Sequence, residues 1–447
     1  MARGFRIGYA RAVRIAADGT SYTASGQSAG LNRGRTLVSS QGLYTITGQS
    51  ATLTKTAASG TYIEQQAAAL SAGNWVQLTG MNGLNYALIT DPSGVANILD
   101  YCNKGGSDLP GLRLLFQGGA HTGAGGLTGA ITYNRTTNTW SQITPSYSSS
   151  LSHNWDSSCS DPVRGDFYAF SKTSSTVRRL ASGSTTWTTI AALNISTPES
   201  LSLFWDEGRD GLMAWNRNTG LEFWAYSSGS GSWTSLGQPA GMSGALGMGG
   251  CYCSATGELF LSDGSTNSTK FWLYQTNNTF SAPLTAPVPV FVAQGGADIL
   301  IHHSGSKRVL VADKATGSMK SFNPVTRQWR TFTPSNGLMP LNVNEANTDA
   351  FAIDIADLGC VLFFSGNSNG AAPSCYLYKH TSAPIVPATI TFTGSHDMTQ
   401  YVEDYNSSTM TLSIQGTLPS QITFNGTSLV STGTATATGV RLVVTYL

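Results

Sequence analysis

Charge is scarce in this chain. Of its 447 residues only 11% are Asp, Glu, Lys or Arg, where ordinary soluble proteins carry about 25%. A helical enzyme solvated by surface ion pairs is excluded by that shortage. The 25 Lys plus Arg nearly cancel the 24 Asp plus Glu, leaving a formal charge of +1, so no overall attraction draws the chain to nucleic acid or to an anionic membrane. No apolar run approaches the roughly 20 residues of a membrane span. Arginines break up the apolar residues of the opening MARGFRIGYARAVRIAADG, so neither a signal peptide nor a membrane anchor is expected. Six cysteines are too sparse for a disulfide framework. They include Cys251 and Cys253, which share one strand face, but no CxxC and no His pair stands at metal spacing, so buried free thiols are expected, with no metal and no cofactor.

What the chain does have is glycine, 50 residues of it, and a period. An aromatic followed by alternating residues recurs as NWVQL at Trp75, NTWSQI at Trp140, TTWTTI at Trp187, GSWTSL at Trp233, NTFSAPL at Phe280 and RQWRTF at Trp329. From Trp140 the steps are 47, 46, 47 and 49 residues. A repeat in the forties built from short alternating strands predicts one four-stranded sheet per repeat, stacked radially as a propeller.

Upstream of each aromatic lies a turn that leads into an apolar strand: DPVRGDFYAF from Asp161, DEGRDGLMAW from Asp206, SATGELFLSD from Ser254, HSGSKRVLVAD from His303 and DLGCVLFFSG from Asp357. Glycine is expected to take the left-handed position of each turn. The last repeat has its third strand at CYLYKH (Cys375–His380) but no fourth, whereas Trp75 has no blade before it. Residues 73–79 are therefore predicted to supply the missing strand and close the ring, leaving no open edge. Five blades over about 81–336 and one composite blade make six. The gap from Trp75 to Trp140 is 65 residues, 18 above the period, and the excess is assigned to an insertion within about 89–110 in the first blade. The expected architecture is all-β: an N-terminal module over 1–71, a six-bladed β-propeller over 72–387 and a β-sandwich-like domain over 388–447.

Three resemblances add to this. The first blade, LRLLFQGGAHTGAGGLTGAITYNRTTNTWSQI, with Gly118-Gly119, Tyr133 and Trp140, resembles a kelch repeat. The segments Tyr22–Ala29 and Tyr44–Ala51 share the pattern YTxxGQSA, which resembles short repeats of tailed-bacteriophage structural proteins, where a light β module docks a larger appendage. The tail LPSQITFNGTSLVSTGTATATGVRLVVTYL resembles the closing half of immunoglobulin-like domains common in surface and virion proteins, departing from the pattern at Gln421 (usually Gly) and Ala435 (usually Pro).

The sequence carries little that resembles a catalytic constellation. The histidines, His121, His153, His302, His303, His380 and His396, show no HxH or HExxH spacing. A copper oxidase on such a propeller needs two Tyr and two His at the axis, and His302 and His303 point to opposite faces of one strand. The sialidase turn loses its Asp in LASGSTTW and SSGSGSW. For glycoside hydrolysis the acids to nominate are Asp156, Asp206, Glu207 and Asp210, although acids in blade turns are more often turn formers. Trp140, Trp187, Trp233 and Trp329 are expected between blades. Trp155, Trp205, Trp215, Trp224 and Trp272 fall outside that register and, with His153 and Tyr226, are the candidate glycan or receptor platform.

These readings converge on a non-enzymatic virion protein of a tailed phage, assembled in the bacterial cytoplasm: a tail-tip, fibre or baseplate component that presents its propeller to the host. Its expected partners are other tail or capsid proteins, met through a basic docking surface (Arg3, Arg6, Arg11, Arg14, Arg33, Arg35), and a host-surface glycan, pilus or protein receptor. Neither nucleic-acid binding nor membrane insertion is expected. A homo-oligomer is compatible with this reading, although no heptad stalk enforces three-fold symmetry. The alternatives are a capsid decoration or head-fibre protein with weak glycan binding and, last, a secreted glycan-active enzyme.

Overall fold

The structure, a computed structural model, describes residues 21–23, 36–39, 42–47, 52–56, 60–90, 98–99, 102–117, 130–143, 157–171, 176–192, 202–216, 220–226, 232–242, 249–263, 268–290, 300–313, 318–332, 334, 340, 349–366, 372–380, 389–398, 410–415, 417–438 and 440–446. The chain divides into two units, Met1–Gln65 and Gln66–Leu447. In the first, β1 (Ser21–Thr23), β2 (Thr36–Ser39), β3 (Gly42–Thr47) and β4 (Thr52–Thr56) form one antiparallel sheet in the order β1-β4-β3-β2. The two YTxxGQSA copies begin on β1 and β3.

The chain passes from the first unit to the second within α1 (Tyr62–Ala69), and β5 (Trp75–Gln77), α2 (Tyr86–Ile89) and β6 (Cys102–Lys104) follow. Blade 1 follows as β7 (Gly106–Asp108), β8 (Arg113–Gln117), β9 (Ala130–Asn134) and β10 (Thr139–Ile143). Blade 2 is β11 (Ser158–Ser160), β12 (Phe167–Ser171), β13 (Thr176–Leu180) and β14 (Trp187–Ala192). Blade 3 is β15 (Ser202–Asp206), β16 (Gly211–Asn216), β17 (Gly220–Ala225) and β18 (Thr234–Gly237). Blade 4 is β19 (Gly250–Cys253), β20 (Glu258–Ser262), β21 (Lys270–Tyr274) and β22 (Leu284–Thr285). Blade 5 is β23 (Leu300–His303), β24 (Arg308–Asp313), β25 (Ser318–Asn323) and β26 (Gln328–Phe332). Blade 6 is β27 (Asp349–Ile355), β28 (Cys360–Ser365) and β29 (Ser374–Lys379), with β5 paired outside β29 and β6 inside β27.

The first strands of successive blades touch all the way round, β7 to β11, β15, β19, β23, β27 and back to β7. That closed circle is a six-bladed β-propeller within the second unit, as the period predicts. Closure is made by β5, whose Trp75, Val76 and Gln77 stand opposite Tyr378, Leu377 and Tyr376 of β29.

The hydrophobic cores lie between blades, because each sheet buries both faces against its neighbours. Cys251, Phe260 and Phe271 of blade 4 cluster with Val309, Val311 and Phe322 of blade 5. Leu310 and Met319 of blade 5 cluster with Val361, Phe363 and Trp75 of blade 6. Of the expected inter-blade aromatics, Trp140 meets Phe364 of blade 6 edge-on at 5.1 Å, and Trp329 meets Phe271 of blade 4 at 5.8 Å. Among the described cysteines, Cys159, Cys251, Cys253, Cys360 and Cys375 are free and buried.

A polar bridge joins every adjacent pair of blades. Buried Asp108 of blade 1 accepts from Ser182 Oγ at 2.6 Å and Gly183 N–H at 3.0 Å of blade 2. Arg164 pairs with Asp210 at 2.7 Å between blades 2 and 3. Arg209 donates to the Gln275 carbonyl at 3.3 Å between blades 3 and 4. Arg327 grips Glu258 through two bonds of 2.7 Å between blades 4 and 5. Ser304 donates to Asp354 between blades 5 and 6. Arg135 holds Asp357 through bonds of 3.0 and 2.8 Å between blades 1 and 6. The bidentate Arg pairs fix angle as well as distance.

Two details depart from the sequence reading. The insertion ahead of Gly106 does not belong to blade 1: it lays β6 parallel to β27, so blade 6 has five strands. Glycine takes the left-handed turn position at Gly165, Gly257 and Gly359, but in blades 3 and 5 that position belongs to Asp210 (φ 49°) and Lys307 (φ 58°). Asp tolerates this conformation better than most residues.

At the C-terminus, β30 (Thr389–Asp397), β32 (Ile422–Phe424) and β33 (Ser428–Thr438) form one sheet, and β31 (Met410–Gln415) with β34 (Arg441–Tyr446) a second. Phe392, Leu412, Leu429 and Leu442 share a separate core across both, giving the expected sandwich-like domain within the second unit.

Two substitutions test this construction by chemical denaturation. Trp75→Ala empties a site that is 1% exposed at the ring closure and is expected to cost about 3–5 kcal/mol. Asp108→Ala strands the Arg113 guanidinium, which donates to Asp108 Oδ2 at 2.9 and 2.8 Å, and is expected to cost about 3–5 kcal/mol.

Candidate functional site

In every blade the first strand reaches the same position before its turn. The final paired positions are Asp108↔Arg113, Asp206↔Gly211, Cys253↔Glu258, His303↔Arg308 and Ile355↔Cys360. In blade 2 the Asp161 N–H donates to the Asp166 carbonyl at 2.8 Å in the same place. One residue earlier stand Ser107, Ser160, Trp205, Tyr252, His302 and Asp354. All six line one axial cavity, with a volume of ≈ 120 Å³ open to the centres of water-sized molecules. Glu207 and Ser304 also line it, each just past its strand.

The floor comes from the inserted strand. Lys104 is 8% exposed and reaches across the axis to donate to the Leu203 carbonyl at 3.0 Å and the Gly250 carbonyl at 3.2 Å. The backbone is pinned beside it: Gly105 N–H donates to Ala352 at 2.9 Å, and Ser158 Oγ donates to the Lys104 carbonyl at 2.8 Å. A side chain does not fit at Gly105, since a Cβ would stand 2.6 Å from the Leu115 oxygen.

The polar groups of the cavity are tuned by burial. His302 is pushed down to about 3, first by desolvation and then by His303 and Lys307, so it is neutral near pH 7. Its Nε2 accepts from the Ser254 N–H at 3.3 Å, which leaves Nδ1 to carry the proton. Asp354 is raised by desolvation against the opposing pull of His303 and Ser304. Glu207 is raised by desolvation and then by Asp161, Asp206 and Asp354. Tyr252 is raised by desolvation, Asp206 and Glu207, and it accepts a backbone hydrogen bond from Gly208. Among the described residues no cluster of His, Cys, Asp and Glu has the arrangement of a metal site.

The expected platform is only partly assembled. Trp205 lines the cavity and meets Tyr226 edge-on at 5.8 Å, with the Arg164 guanidinium 4.0 Å over the Tyr226 ring. Trp215, Trp224 and Trp272 are 0%, 6% and 1% exposed. Trp215 and Trp224 belong to inter-blade cores and Trp272 is buried, so these three rings present no face to a ligand, a correction to the platform reading. Trp155 and His153, with the nominated acid Asp156, lie outside the described residues, as do Arg3, Arg6, Arg11, Arg14, Arg33 and Arg35.

Asp206 and Asp210 act in turns and ion pairs. Asp206 accepts from the Arg209 backbone at 3.0 Å and pairs with its guanidinium at 2.6 Å. Glu207, the remaining nominee, is at the cavity. His302 faces the axis and His303 turns away to pack on His380 at 5.4 Å, as their alternation predicts. Lys104, Tyr252, Ser304 and Asp354 were not singled out from the sequence. The signal that marks Tyr252 and Asp354 is register, six residues before each second strand begins.

No family model matches this sequence, and no curated protein shows significant similarity to it. Among solved structures, a protein of unknown function from Bacteroides thetaiotaomicron is 12% identical, with a TM-score of 0.45 over 68% of this chain and 75% of that one. A catalytically inactive virginiamycin B lyase from Staphylococcus aureus, crystallised with quinupristin, is 11% identical, with a TM-score of 0.38 over 60% of this chain and 76% of that one. YCF48 bound to D1 peptide is 12% identical, with a TM-score of 0.36 over 57% and 72%. The propeller assignment stands on the strand pairing of this chain itself.

The buried histidines set a pH dependence. His302, and His380 beside Phe332 and Tyr378, are both held below the ordinary 6.5, chiefly by desolvation. The unfolded chain therefore binds more protons below about pH 6.5, and stability falls as pH drops from there towards 3. Asp354, raised above 3.8, works in the opposite sense. Urea midpoints across this range are expected to fall with acid, and His302→Gln is expected to flatten the decline.

Proposed function

We propose that this chain is a structural component of a tailed-bacteriophage virion, a tail-tip, fibre or baseplate protein that presents its propeller to the host surface. The observation that carries the reading is the division of labour along the chain. The YTxxGQSA repeats, which resemble docking repeats of phage structural proteins, begin on strands of a four-stranded sheet in a unit of its own, ahead of a propeller with a recess at its axis.

Within this reading the first unit contacts other virion proteins and the propeller contacts a host glycan, pilus or protein receptor. The role is binding without catalysis. The propeller is of kelch type, on the residues of its first blade, and the C-terminal sandwich is immunoglobulin-like, on the motif from Leu418 to Gly439.

Immunogold labelling of purified particles with antibodies against the propeller is the direct test. Label at the tail end is the expected result. Label over the capsid would reassign the chain to head decoration, and absence of the protein from particles would remove the virion reading.

A further inference from the structure

The acids at the ends of the first strands and in the turns that follow them differ in one respect. Asp161 pairs with Arg164 at 2.7 Å, Asp206 with Arg209 at 2.6 Å, Asp210 with Arg164 at 2.7 Å and Asp357 with Arg135 at 2.8 Å. Glu207 has no ion pair and no side-chain hydrogen bond among the described residues, although it lines the cavity and is exposed to it. Two blades further round from Tyr252 is Asp354, whose side chain, among the described residues, accepts hydrogen bonds from Ser304 alone, from its N–H at 3.3 Å and from its hydroxyl. A carboxylate has about four acceptor positions, so both acids keep capacity to accept. Among the described residues of the lining the one cation, Lys104, donates to carbonyls at the floor, and His302 is neutral.

The remaining wall suits a small ring. Trp205, Phe204, Ile301, Cys159 and Cys251 supply apolar surface, and the Tyr252 ring joins them. Because Lys104 and β6 close one end, the recess is blind and admits the end of a ligand in place of a threaded chain. Apolar walls with a few convergent polar groups are the usual make-up of a small-molecule site.

We propose that this recess binds a protonated primary amine carried on a hexose-sized ring, that is, a terminal amino sugar. Glu207 takes the ammonium, Asp354 accepts from the ammonium or a ring hydroxyl, and the His302 Nδ1–H donates to a ring oxygen. Glu207, which has no ion pair among the described residues, separates this ligand from a neutral sugar: a hydroxyl donates one hydrogen bond to the carboxylate, whereas an ammonium also brings the counter-charge that this carboxylate lacks. The biological setting, an envelope polysaccharide, rests on the recognition reading above; the binding chemistry does not.

Titration calorimetry of the full chain near pH 7 with glucosamine, glucose and N-acetylglucosamine tests it. Glucosamine is expected to bind at least about tenfold more tightly than either neutral sugar, and Glu207→Gln is expected to remove that preference without lowering the unfolding midpoint, because Glu207 makes no ion pair or side-chain hydrogen bond among the described residues and its charge is disfavoured by desolvation and by Asp161, Asp206 and Asp354. Equal binding of the three sugars, binding of none, or a Glu207→Gln protein that still prefers glucosamine would each overturn the proposal. A particle-bound protein indifferent to glucosamine defeats this inference alone; a glucosamine binder absent from particles defeats the virion reading alone.

Discussion

Ring closure by β5 is the constraint on which the rest of the second unit depends. A propeller blade has no core of its own: its apolar faces are satisfied only when a blade stands on each side, so the circle must close before any blade is fully buried. Here the last blade lacks an outer strand until Trp75, Val76 and Gln77 return from about 300 residues earlier in the chain to pair with Tyr378, Leu377 and Tyr376. Trp75 then joins the core shared by blades 5 and 6. A single three-residue strand thus ties the two ends of the propeller, covers an exposed sheet edge and completes an inter-blade core.

Around that circle hydrophobic packing and polar bridges serve different ends. The aromatic and aliphatic clusters supply non-directional adhesion, tolerant of rotation between sheets. The bridges are directional. Asp108 to Ser182, Arg164 to Asp210, Arg327 to Glu258 and Arg135 to Asp357 fix how far each blade turns relative to the next. With the angles set, six strand ends arrive at the axis in one register and deliver Ser107, Ser160, Trp205, Tyr252, His302 and Asp354 to one cavity. The same bridges consume the neighbouring acids in structural work, which leaves Glu207 distinct among them.

The inserted strand β6 changes the character of the axis. A six-bladed ring leaves a channel at its centre, and Lys104 fills it by donating to carbonyls of blades 3 and 4 from a strand paired with blade 6. The channel becomes a recess with a floor, so the ligand chemistry open to it is that of a small terminal group.

The sequence by itself determined the period, the blade count and the strand that closes the ring, because each follows from local alternation and spacing that any four-stranded repeat must satisfy. It also determined that His302 and His303 face opposite ways, since the strand period is two. Which tryptophans would be buried was not legible: Trp215, Trp224 and Trp272 lie on second and third strands whose faces both meet neighbouring blades, a fact that exists only once six sheets stand in a circle. The destination of β6 was equally hidden, because its partner β27 lies about 250 residues away and its parallel pairing leaves no local signature. Only the tertiary structure decided the site, for its polar residues are alike in register and unlike in type, and residues from six distant repeats meet at one point solely because the ring brings their strand ends to a common axis.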